Sequence, residues 1–129
     1  MTTLIVCLLI TVVMPYLTKL PVGYAMQKSK GGYDNNHPRA QQARLEGFGG
    51  RAVGAHQNCF ESLAVFSTAA LTAIATNHVT ATIMNLAILY VISRIVYIFL
   101  YLMNFAALRS TVWFIGFASC VSILWLCIP

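Results

Sequence analysis

"RAVGAHQNCFESLAVFSTAALTAIAT", residues 51–76, opens with Arg51, Asn58 and Glu61 and then carries no charge from Ser62 to Thr76. An apolar run of about 20 residues at 1.5 Å per residue crosses the ~30 Å hydrocarbon layer of a bilayer. Three other stretches are as long and as apolar as the one at roughly 55–76: roughly 2–22, 80–103 and 107–128. Lipid offers no partner to a free N–H or C=O, so each must be helical. The sequence therefore predicts an all-α, integral membrane four-helix bundle, one domain over residues 1–129. Composition agrees: 59% of the 129 residues are hydrophobic and 9% charged, where about 25% charged is usual in soluble domains. The first stretch lacks the basic leader and A-x-A site of a signal peptide, so it reads as a retained helix, bent or ended near Pro15.

The charges cluster. Lys19, Lys28, Lys30, Arg39, Arg44 and Arg51 lie in or beside the segment 23–54, and Arg109 opens the last apolar stretch. By the positive-inside rule, loop 23–54 is expected in the cytoplasm and both termini outside. The net charge of +5 then reflects topology. Without interleaved aromatics it gives no nucleic-acid signal. Within the loop, Pro38 is placed to open a short helix, "PRAQQARLEGF", capped by Asn36 or His37. Two readings fit this loop: a solvated segment whose cations meet anionic head groups, or a rim over a site. Cys7, Cys59, Cys120 and Cys127 show no metal spacing and no C-x-x-C pair. His56 and His78 each lack a matching acid or second histidine, so no metal site is expected.

Helical arithmetic sorts the polar residues into stripes. At 100° per residue, Arg51, Gly54, Asn58 and Glu61 share an arc of about 80°. Tyr90, Arg94, Tyr97 and Tyr101 share about 60° on the next helix, with Asn104 extending that face. An arginine at mid-helix costs ~2.5–3.5 kcal/mol on insertion scales, so Arg94 should face a partner or a wet cavity. Glu61 is the only acid inside a membrane helix. Two readings stay open: a ligand pocket toward the cytoplasmic leaflet, or a structural Glu61–Arg94 ion pair with interfacial tyrosines. Three arginines, one glutamate and several amide and phenol donors suit a small molecule with several carboxylates and one amine; were it also to carry a thiol, a nearby arginine would favour the thiolate.

At these residues the chain resembles the MAPEG family, the membrane-associated proteins in eicosanoid and glutathione metabolism. The matching stretches are "GGYDNNHPRAQQARLEGF", "RAVGAHQNCFE", "RIVYIFLY" and "LRSTVWFIG", together spanning about 31 to 117, and they look most like a short bacterial branch. The resemblance implies a homotrimer in the lipid bilayer, which in a bacterium is the inner membrane. It implies glutathione as co-substrate, bound between neighbouring subunits, and a transferase or peroxidase acting on a lipophilic small molecule. Arg51, Asn58, Glu61, Arg94, Tyr97 and Tyr101 match glutathione-contacting positions, and Arg109 matches the arginine that activates the thiol. Gly50 stands where the family often has Glu, Gly54 where the eukaryotic enzymes have a carboxylate-binding Arg, and Trp113 where some members have Tyr. The family also holds a non-enzymatic helper, so a lipid-binding scaffold is the alternative. A small four-helix exporter is a weaker fit, because its acid would sit in the first helix, which here has none.

Overall fold

The computed structural model describes residues 1–129. Five helices follow in order: α1 (Thr2–Lys28), α2 (Pro38–Ala43), α3 (Gly47–Ala75), α4 (Ala81–Leu102) and α5 (Ala106–Leu126). The short α2 apart, all are long and apolar enough to cross a membrane. The links α3–α4 and α4–α5 are only a few residues, which forces antiparallel neighbours. The chain thus runs up and down, and the α1–α3 connection and the α4–α5 link meet at one end of the bundle. Outward faces are apolar: Leu20, Phe114 and Trp125 are each more than 65% exposed. A soluble bundle would turn polar residues outward, so this surface is built for lipid.

α1 packs mainly on α3, and α4 mainly on α5. The buried face of α3 is largely small: Gly49, Ala52, Ala55, Cys59, Ala69, Ala70 and Ala73. Small residues let helix backbones approach, which is where packing energy comes from when lipid is as apolar as leucine. Gly116 does the same between α4 and α5, where an added Cβ would lie 2.7 Å from Ser93 Oγ. The main apolar core, around Phe66, Ile83, Ala87, Cys120 and Ile123, fills the half of the bundle away from the loop. Val22, Met26 and Ala52 form a small cluster at the loop end. Between them lies a polar waist containing Thr11, Thr18, Ser93 and Arg94.

Several expectations are corrected by the fold. α1 is neither ended nor interrupted at Pro15; it runs 27 residues through Pro15 and Pro21 to Lys28. Proline removes one helix donor, the N–H that would bond the Thr11 carbonyl, and a packed membrane helix tolerates that single loss. Thr18 Oγ1 donates to the Pro15 carbonyl at 2.9 Å, and His56 Nδ1 of α3 lies 2.8 Å from the same oxygen. α3 likewise starts at Gly47, well before the apolar run at 55, so the connection is shorter than 23–54. Within it, α2 ends at Ala43, short of the expected stretch, and His37 at its N-cap makes no side-chain cap.

Asn104 also departs from its expected place. It is exposed and sits beyond α4 with φ of 66°, not on the helix face. Its N–H bonds the Tyr101 carbonyl at 3.2 Å, and the next N–H, from Phe105, bonds Leu100 at 2.9 Å. Asn77 closes α3 the same way, with φ of 59° and bonds to Ile74 and, from His78, to Ala73. These are Schellman ends, and asparagine tolerates the left-handed conformation they need. Asn104→Ala should therefore destabilise the bundle by about 1 kcal/mol, and Asn104→Gly should not. Thermal unfolding of the two variants in detergent checks this; equal loss in both would place Asn104's role in its side chain.

The loop is pinned by side chains. Gln41 donates to the carbonyls of Met26 (3.2 Å) and Gly32 (2.8 Å) and accepts from the Asp34 N–H (2.9 Å). Asp34 Oδ1 accepts the His37 and Asn36 N–H groups at 3.0 and 2.9 Å. These bonds, His37's foremost, hold the Asp34 carboxyl below its ordinary value of 3.8. A lowered carboxyl stabilises the fold above its unfolded value and stops doing so as pH falls through the folded one. Hydrogen-exchange protection at Asn36 and His37, taken relative to intrinsic exchange, should therefore persist at neutral pH and be lost only below pH 3.8.

Candidate functional site

The two polar stripes meet. α3 brings Arg51, Gly54, Asn58 and Glu61 to the waist and loop end, and α4 brings Arg94, Tyr97 and Tyr101 against them. Arg94 is 2% exposed, and its Nη2 donates to Asn58 Oδ1. Asn58 Nδ2 in turn donates to Glu61 Oε2 at 3.1 Å. There is no direct Glu61–Arg94 ion pair: Asn58 stands between them as a relay. The arc arithmetic aligns the faces but leaves the side chains' reach unresolved, and the shorter amide gets to the guanidinium first. Glu61 is exposed at the bundle's surface, so its carboxylate keeps an oxygen free.

From Arg94 the chain of contacts continues toward the loop end. Its guanidinium carbon lies 4.1 Å from the Tyr97 ring centre. Tyr97 and Tyr101 pack edge to face, 5.6 Å apart at 81°. Arg109, from the first turn of α5, lies 4.2 Å over the Tyr101 ring. Cations over aromatic faces are held by the ring quadrupole, with ~0.5–2 kcal/mol each. The result is one continuous line, Glu61–Asn58–Arg94–Tyr97–Tyr101–Arg109, with a carboxylate at one end and a cation at the other.

Arg51 lies beside this line. Its Nε donates to the Leu102 carbonyl at 3.2 Å, capping the C-terminus of α4 and leaving its terminal nitrogens uncommitted. Gly54 also has a physical reason. A Cβ there would meet Tyr101 Oη at 2.3 Å, so the tyrosine tip occupies the space a side chain would take. Tyr90 is diverted from the stripe: its hydroxyl donates to the Ser62 carbonyl at 2.7 Å and its ring stacks on Phe66 at 4.3 Å.

A cavity of about 140 Å³ opens where the relay reaches the surface, lined by Asn58, Glu61, Arg94, Tyr90, Trp113 and Phe117 among others. Its polar end is the relay and its apolar end is lipid-facing. The buried Nε of Arg94 has no hydrogen-bond partner. A buried charged donor left unsatisfied costs several kcal/mol, which marks the spot as one fit to take an acceptor. Sequence reasoning missed the α5 wall. Trp113, Phe117 and Cys120 follow i, i+4, i+7, a spacing that would have placed them on one face. A larger hollow of about 850 Å³ lies over the loop. Its charged groups, the Asp34–His37 pair at 3.6 Å with Lys30 and Arg44, are all partly or fully exposed and none needs a partner. No group of His, Cys, Asp and Glu has the arrangement of a metal site.

The profile of the MAPEG family matches residues 3–129. The chain belongs to the MAPEG family. No curated protein and no solved structure shows a significant match to it. Membership covers nearly the whole chain and fits the four apolar helices, so this is a multi-pass membrane protein with the MAPEG four-helix fold. The family includes glutathione transferases and peroxidases as well as non-catalytic members.

Proposed function

We propose that this MAPEG protein is a glutathione-dependent transferase or peroxidase acting on lipophilic electrophiles. The observation that carries the reading is Arg94: a 2%-exposed arginine with a buried, unpartnered Nε, lining a cavity whose other charge is Glu61. Glu61 takes the glutathione amine with its free oxygen. Arg94 and the terminal nitrogens of Arg51 take carboxylates, with Asn58 and Tyr97 completing the polar wall. Arg109 holds the sulfur as thiolate, the competent nucleophile. Glutathione supplies that thiolate; a carbon–sulfur bond forms to the electrophile as the leaving group departs with its electron pair. The mouth beside Phe117 and Trp113 admits a lipophilic partner from the bilayer.

Glu61 is exposed on a single subunit, in the middle of a surface otherwise made for lipid. A carboxylate facing lipid is costly, and a neighbouring copy would cover it. The assembly in this reading is a homotrimer with the site between subunits. The cation-rich loop end lies in the cytoplasm and both termini outside. Calorimetry of the detergent-purified protein with glutathione, followed by its ultraviolet thiolate band, tests the function. Binding with a thiolate band at pH 7 is expected. Binding without that band would leave a non-catalytic lipid-binding or scaffold member of the family; no binding at all would reject the site.

A further inference from the structure

Tyr101 stands at the junction of everything that fixes Arg109. The Arg109 guanidinium lies over its ring at 4.2 Å, Tyr97 supports that ring edge to face at 5.6 Å, and its hydroxyl is seated where Gly54 has no side chain. Arg109 is half-buried, with no hydrogen bond or ion pair to a protein acceptor. The aromatic face is what orients it. We propose that Tyr101 is the positioning residue for Arg109, acting through its ring and not its hydroxyl, and that Gly54 is the gap that lets the ring lie there. This deepens the reading of Arg109 as the thiol-holding cation and rests on it.

The inference separates two roles that contact alone does not. A ligand-binding tyrosine works through its hydroxyl, and phenylalanine abolishes it. A positioning ring works through its π face, and phenylalanine preserves it. The absence of a side chain at Gly54 is explained as well. Any Cβ there would lie 2.3 Å from Tyr101 Oη and 2.7 Å from Cζ, and would push the ring off Arg109. An arginine at position 54 and the present seat of Tyr101 are thus mutually exclusive.

The test compares Tyr101→Phe, Tyr101→Leu and Gly54→Ala in the full-length protein in detergent. Two readouts are used: phenylglyoxal labelling of the Arg109 peptide by mass spectrometry, and the pH midpoint of the glutathione thiolate band. Tyr101→Phe should keep both at wild-type values. Tyr101→Leu should label Arg109 severalfold faster and raise the midpoint by about half to one pH unit. Gly54→Ala should shift both readouts in the same direction, and it carries the test if the leucine variant does not fold. If Tyr101→Phe behaves like Tyr101→Leu, or if Tyr101→Leu leaves Arg109 labelling unchanged, the positioning role is overturned. Absence of a thiolate band in the wild type would instead reject the glutathione chemistry, while the labelling arm would still decide the role of Tyr101.

Discussion

Asn58→Leu should lower the stability of the bundle by about 3 kcal/mol, the penalty of stranding a buried cation. Asn58 holds the only side-chain hydrogen bond that the 2%-exposed Arg94 makes, and the Arg94 Nε already has none. Leucine conserves volume and removes the acceptor, so the guanidinium is left facing hydrocarbon. Thermal unfolding in detergent should show a drop of roughly 10 °C. Asn58→Asp should behave oppositely, because a carboxylate there meets Arg94 directly. Glu61→Ala should cost little in the lone subunit, since Glu61 is exposed and touches Arg94 only through Asn58. Equal losses for Asn58→Leu and Asn58→Asp would show that shape at this position, not charge compensation, is what matters.

Arg109→Ala should leave the protein folded, with glutathione affinity changed little, and reduce turnover of a chloro-dinitrobenzene tenfold or more. The guanidinium is half-buried at the helix end and lies outside the apolar core. Its effect falls on the sulfur: without the cation the bound thiol returns toward the ordinary range of about 8.5–9, where only a few per cent is thiolate at pH 7. Each unit of that return is ~1.36 kcal/mol. Arg109→Lys should recover part of the rate, because it keeps a charge but loses the planar group that lies flat on Tyr101. Identical thiolate absorbance and rates in wild type and Arg109→Ala would make Arg109 an ordinary interfacial arginine, and the scaffold reading would take over.

The four membrane helices are legible in the sequence because hydropathy is a sum over about 20 residues, and single exceptions do not disturb it. The facing of Asn58 toward Arg94 is legible for a related reason: the helical period is rigid along a helix. Side-chain reach is not periodic, so the arc could align Glu61 with Arg94 but could not show that Asn58 comes between. Pro15 does not end α1, because the loss of one N–H in a long apolar helix is outweighed by the turns on either side and their packing. Asn104 misled because one residue in the left-handed conformation ends a helix without any change in hydropathy. The reason for Gly54 lies wholly in tertiary contact, with a tyrosine on the next membrane helix.

The preference of α1 for α3 and of α4 for α5 bears on how the chain enters the membrane. In N-to-C synthesis, α1 and α3 are both available before α4 emerges, and His56 can already tie α3 to the Pro15 carbonyl. Asn58 and Glu61 are then in the bilayer before Arg94 needs them. An arginine inserted in that order would meet a half-built protein that already holds its acceptor, not bare lipid. Insertion in this order spares the most expensive residue of the chain an unaccompanied passage.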